Sequence, residues 1–147
     1  MKILIVFFSL FLLTACTTYS EDDKSSFDTQ IEAYLKKHDK ACERSSSGLY
    51  YNIIEQGEGR KIKYGDRVSF TYKGELLDGT VFDKQTKPIE FDVDILIAAW
   101  KETMLMLNEG GKAYIVSPPN LGYGTHELED IPPNSIIVYT LEVVEVK

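Results

Sequence analysis

Residues 67–83 read RVSFTYKGELLDGTVFD. Val68, Phe70 and Tyr72 alternate with Ser69, Thr71 and Lys73, which is the two-residue period of a strand with one buried face. Asp78-Gly79, set between Leu76-Leu77 and Val81-Phe82, is the turn signal of a hairpin. The stretch therefore predicts two antiparallel strands.

Strand signals continue on both sides of this hairpin. Leu49–Glu55 (LYYNIIE) is a β-rich run ended by Gln56-Gly57-Glu58-Gly59. Ile89, Phe91 and Val93 alternate with outward acidic residues. Lys112–Val116 is another strand, and Ile136–Val146 a long last one with Ile137, Tyr139, Leu141 and Val143 on one side. One helix interrupts them, from about Leu96 to Leu107, and Gly110-Gly111 stops it. Five or six antiparallel strands and one helix make an α+β domain, with the apolar helix laid across the concave face of a curved sheet.

Upstream, Phe27, Ile31, Tyr34 and Leu35 share a helical face, predicting a short helix over 27–40 with Ser26 as its N-cap. Ser45-Ser46-Ser47-Gly48 breaks it. The polar, acidic stretch from Thr17 to about Ser26 is expected to be a disordered tether, with Glu21-Asp22-Asp23 a solvated spacer. That acidic triplet is also similar to a surface-export signal of some bacterial lipoproteins. Residues 1–16, MKILIVFFSLFLLTAC, place Lys2 before an apolar run shorter than the about 20 residues that span a bilayer, the pattern of a secretory signal peptide. Leu13-Thr14-Ala15-Cys16 resembles a bacterial lipobox, which implies cleavage before Cys16 and lipid attachment to its thiol. The organisation read from these signals is a signal peptide over 1–15, a lipid-anchored tether with a short helix over 16–47, and one domain over 48–147. Cys42 is then left with no partner in its own chain.

Composition narrows the function classes. Of 147 residues, 44% are hydrophobic, and Lys plus Arg number 16 against 23 Asp plus Glu, for a net charge of −7. An acidic chain without a basic stripe is repelled by phosphate backbones, which argues against nucleic acid as a partner. Two Cys and two His are too few and too scattered for a zinc site.

Five groups, in order, resemble the FKBP-type peptidyl-prolyl isomerases. Tyr72-Lys73-Gly74 matches the family's Tyr-x-Gly, and Asp78-Gly79-Thr80-Val81-Phe82-Asp83 its Asp-Gly-x-x-Phe-Asp. Trp100 stands where the family floors its pocket. Leu121-Gly122-Tyr123-Gly124 is similar to its Leu-Ala-Tyr-Gly, and Ile131-Pro132-Pro133-Asn134 to its Ile-Pro-Pro-Asn. The resemblance covers residues 49–147. Ile89 and Tyr139 stand where the family commonly has Phe, and Ala99 replaces the glycine before Trp100.

The resemblance implies a curved sheet around one helix, and a proline pocket made of Tyr72, Phe82, Asp83, Ile89, Leu96, Ile97, Trp100, Tyr123, Ile131 and Tyr139. Within it, Asp83, Tyr123, Ile97, Phe82 and Trp100 are the candidate catalytic residues. The Ile97 N–H and the Tyr123 hydroxyl would donate to substrate carbonyls, and Asp83 would fix the tyrosines. No cofactor or metal is implied. Twisting a peptide bond out of plane costs about 18–20 kcal/mol of resonance, and the twisted amide, having lost conjugation, is the less polar form, so an apolar wall favours it. His126, in the Gly124–Asp130 loop with Glu127, Glu129 and Asp130, is expected at the rim.

The expected activity is thus isomerisation of X-Pro bonds in exported or envelope proteins. The expected form is a monomer held in the cell envelope, on the outer membrane, by the lipid on Cys16. The alternatives are a proline-binding module without turnover and an envelope chaperone.

Overall fold

A computed structural model describes residues 19–147. The expected signal peptide, the expected lipid attachment at Cys16 and residues 17–18 of the expected tether lie outside the described residues. In chain order the elements are α1 (Glu21–Lys37), β1 (Glu43–Arg44), β2 (Tyr50–Glu55), β3 (Arg67–Leu76), β4 (Val81–Asp92), α2 (Ala98–Met106), β5 (Lys112–Ser117) and β6 (Ile137–Val146). The strands form one six-stranded antiparallel sheet in the order β1-β2-β5-β6-β3-β4.

The central hairpin forms as its sequence predicts. Asp78 Oδ1 accepts from the Thr80 N–H at 2.9 Å, Gly79 takes φ +90°, and the Leu76 N–H donates to the Thr80 carbonyl at 2.9 Å. A side chain at Gly79 would be strained by that φ, which is why the turn selects glycine.

The N-terminal helix begins earlier than its sequence pattern suggested. It starts at Glu21, and its N-cap is Ser20, not Ser26. Ser20 Oγ accepts from the Asp23 N–H at 3.1 Å, and the Asp23 carboxylate accepts from the Ser20 N–H at 2.9 Å, a reciprocal capping box. Glu21, Asp22 and Asp23 therefore fill the first turn, and Lys36 and Lys37 the last, both of which complement the helix dipole. Residues 21–26, expected to be disordered, are ordered because the cap and the dipole compensate a stretch with little to bury. The serine run 45–47 with Gly48 is the turn of a β1–β2 hairpin, in which the Ser45 N–H donates to the Leu49 carbonyl at 2.8 Å.

Strand alternation sends side chains to two faces, and each face carries a helix. On one face Val68, Phe70, Ala113, Ile115, Ile137, Tyr139, Leu141 and Val143 pack against Ala99, Trp100 and Met104 of α2. On the other, Tyr50, Val116 and Val138 pack against Ile31 and Leu35 of α1. The alternation expected of Ile89, Phe91 and Val93 holds only in part. Phe91 is 39% exposed, and Val93 is buried in a 3-10 turn (Val93–Ile95) that delivers the chain to α2.

Candidate active site

Two β-bulges in the hairpin position the aromatic side chains. Gly74 pairs with Asp83, whereas Glu75 pairs with Val81, so Phe82 is an extra residue in β4. A bulge lets two consecutive residues address one face, and both Phe82 and Asp83 do so. The Phe82 ring lies edge-on to Tyr139 at 5.8 Å, and Asp83 Oδ2 accepts the hydroxyl proton of Tyr72. Gly74 makes room for this. A Cβ there would stand 2.5 Å from Phe82 Cζ and 2.7 Å from Tyr139 Cε1, inside any tolerable contact. The second bulge, between the pairs Phe70–Ile89 and Tyr72–Gln85, accommodates Pro88 in a strand that lies at the sheet edge.

Trp100, in the first turn of α2, is the centre of the ring cluster. Its centroid lies 4.7 Å from Tyr72, 5.0 Å from Tyr139 and 5.3 Å from Phe70, the last two edge-to-face. Trp100 and Phe82 both touch the Tyr139 ring and so lie on the same side of the sheet. Tyr139 is fully buried, Trp100 is 8% exposed, Tyr72, Phe82 and Tyr123 are half-buried, and Asp83 is exposed.

The polar groups around the rings are few. The Tyr123 and Tyr139 hydroxyls meet at 3.3 Å. Burial, reinforced by that hydrogen bond, pushes the Tyr139 phenol well above its usual range. Burial, then the bond to Asp83, does the same to Tyr72. Both phenols are therefore neutral at any physiological pH and act as hydrogen-bond groups rather than acids. Trp100 Nε1–H is buried and has no partner among the described residues. The Ile97 carbonyl opens α2 by accepting from the Lys101 N–H at 2.9 Å, while no partner for the Ile97 N–H is found among the described residues.

The remaining sequence-derived residues surround this cluster. Leu96 and Ile131, 8% and 5% exposed, are buried in the same core, and Ile89 and Ile97 pack partly against it. Ile89 pairs with Phe70, one residue removed from Trp100. His126 sits on the exposed turn after Tyr123, its Nδ1 2.9 Å from the Tyr123 carbonyl. Two contributors escaped the sequence reading. Phe70 was seen only as strand core, although its ring supports Trp100. Tyr19, in the stretch expected to be disordered, is buried and donates to Asn134 Oδ1 at 2.7 Å. Its signal was present: a lone aromatic directly before the Ser20-x-x-Asp23 capping pattern.

Residues 58–144 match the family model described as FKBP-type peptidyl-prolyl cis-trans isomerase. The chain is 38% identical over 135 residues to FkpA of Buchnera aphidicola subsp. Schizaphis graminum, covering 86% of this chain and 54% of that protein. It is 36% identical over 132 residues to FkpA of Escherichia coli K12, covering 86% and 49%. The crystal structure of FkpA from Escherichia coli superposes with a TM-score of 0.74 at 36% identity, over 86% of this chain and 62% of that one. That of AtFKBP13 superposes at 0.67 with 27% identity, over 73% and 99%. The chain spans about half the length of the curated relatives it matches.

Proposed function

Since this chain belongs to the FKBP-type peptidyl-prolyl cis-trans isomerases, we propose that it accelerates rotation about X-Pro bonds in exported or envelope proteins, against the ring cluster of Trp100, Tyr72, Phe82 and Tyr139. The observation that carries this reading is the pairing of that ring cluster with spare donors: the Trp100 indole N–H and the Ile97 N–H, with the Tyr123 hydroxyl beside them.

The chemistry follows from the amide. No bond breaks, so neither a nucleophile nor a general base is needed. Rotation removes conjugation and with it charge separation, so rings with little water between them stabilise the twisted form relative to the planar one. Trp100 takes the pyrrolidine ring. The Ile97 N–H and Tyr123 hydroxyl hold the flanking carbonyls still while the bond turns, and Asp83 keeps Tyr72 from rotating away. An acceleration on the order of 10⁶ requires roughly 8 kcal/mol of differential stabilisation.

A protease-coupled assay on Ala-Leu-Pro-Phe-type peptides tests this, with the wild type beside Asp83→Ala. The wild type is expected to be active and the variant severely impaired. An inactive wild type would leave a proline-binding module, and a fully active Asp83→Ala would remove this residue from the site.

We further propose that Cys16 is lipidated and holds the domain in the cell envelope. Tyr19 is buried in the fold, and three peptide units of about 3.8 Å each separate it from Cys16, so at most about 11 Å of chain lies between the anchor and the folded body. The domain then rides close to the membrane surface rather than on a long tether. Incorporation of labelled palmitate into the wild type, and its loss in Cys16→Ser, is the expected result.

A further inference from the structure

Tyr19 lies well ahead of the part of the chain that matches the family model, yet it is packed against the loop that carries Tyr123. It is 8% exposed, and its ring stands edge-to-face on Phe27 at 5.3 Å. Its hydroxyl donates to Asn134 Oδ1 at 2.7 Å, across 115 residues of sequence. Asn134 is itself unusual: it takes φ +62°, and its N–H donates to the Gly124 carbonyl at 2.8 Å. Residues 124 and 134 are thereby closed into the base of a loop. The Tyr19 oxygen rests on that base, since a Cβ at Gly124 would lie 3.9 Å from it.

What the loop holds makes this contact matter. Tyr123 immediately precedes the base, and Ile131, buried in the ring-bearing core, sits inside it. Leu128 and Ile131 exchange backbone hydrogen bonds at 3.1 and 3.2 Å, which makes the loop a small closed unit rather than a loose strand. Between Tyr19 and the turn lies a cleft of about 220 Å³ that Tyr123, Gly124 and His126 also line. Residues 125–130 are all exposed, so the loop is restrained at its base, by the Asn134–Gly124 bond, the Gly124 N–H bond to the Pro119 carbonyl at 2.9 Å and the Tyr19 hydroxyl, and by the buried Ile131.

We propose that Tyr19 is a positioning residue for the isomerase site. By latching Asn134 it holds the base of the 124–134 loop, and through that base it fixes Tyr123 and Ile131 against the ring cluster. The segment before the sheet is in this way part of the machinery rather than a spacer. The activity readout rests on the isomerase reading above; the latch itself does not.

The test uses the whole chain. Tyr19→Phe keeps the ring on Phe27 and removes only the hydroxyl. Asn134→Gly removes the acceptor while tolerating the positive φ. Amide exchange at Leu128, Ile131 and Asn134 is expected to quicken about fivefold in Tyr19→Phe, the factor that one lost hydrogen bond corresponds to. The kcat should fall by a similar factor with KM changed less than twofold, and Asn134→Gly added to Tyr19→Phe should produce no further loss. Unchanged exchange at those three amides overturns the latch. Faster exchange with unchanged kcat overturns the positioning role. Should the wild type show no isomerase activity, the isomerase reading fails by itself, and exchange alone decides the latch.

Discussion

The face of the sheet under α2 and the face under α1 are built from alternate residues of the same strands, and both pair their hydroxyls, yet among the described residues only the α2 face buries a side-chain donor without a partner. Under α1 the hydroxyls are paired. Tyr50 shares its proton between Asp28 at 3.2 Å and Glu32 at 3.3 Å. Arg44 closes over the same Asp28 with two bonds at 3.1 and 2.8 Å, and Tyr114 donates to Tyr34 at 3.3 Å. Under α2 the buried Trp100 Nε1–H has no partner among the described residues, and a hydrogen-bonded Tyr72–Asp83 pair stands half in solvent. Buried polar groups are ordinarily satisfied, and each exception calls for an explanation. On the α2 face that exception is the Trp100 indole N–H, which lies among packed rings.

The contrast is sharpened first by truncating the centre of the ring cluster. Trp100→Ala should cost about 3–5 kcal/mol of stability and reduce kcat/KM on the order of a hundredfold, measured by denaturant unfolding and the peptide assay. Next, Ile31→Ala on α1, a fully buried position, should cost about 2–5 kcal/mol while activity per folded molecule stays within about twofold. Loss of activity without loss of stability there would erase the distinction between the two faces.

Smaller effects separate single bonds. Ser20→Ala removes half of the capping box and should lower stability by about 1 kcal/mol, read as a shift of the urea midpoint. Tyr139→Phe removes the buried hydroxyl beside Tyr123. It should cost about 0.5–1.5 kcal/mol and alter kcat a few-fold, because Tyr123 loses the partner that sets its direction.

The smallest effect is a slope in alkali. Burial, then the charge of Asp28, pushes the Tyr50 phenol from its usual 10 up to about 12. Its folded value is the higher one, so its contribution is fully present below pH 10 and is lost as the pH rises towards 12. Unfolding free energy should therefore be flat up to about pH 10 and fall above it, less steeply in Tyr50→Phe.

Much of this was legible in one dimension. The hairpin at Asp78-Gly79, the long last strand and the interrupting helix all follow from period and turn chemistry, which act over a few residues. The candidate site was legible through short motifs whose residues the fold then gathers: Phe82 and Asp83 on one bulge, Trp100 on the first turn of α2, Tyr139 on β6. The start of α1 was missed because low hydrophobicity outweighed the cap at Ser20. Phe91 was read as buried because alternation alone does not reveal that β4 is an edge strand. Tyr19 was missed because its partner lies at Asn134, far along the chain.

Without coordinates, then, the residues already settle the class of fold, the place of its hairpin turn and the family, since each rests on neighbours close in sequence or on motifs in fixed order. The hairpin's register, by contrast, depends on two bulges that appear only in the folded sheet. What folding alone reveals is which donors stay unpaired, which glycine two rings require, and that a tyrosine from the N-terminal segment bears on the Tyr123 loop. These are properties of packing in space, and long-range contacts of that kind leave no periodic trace along the chain.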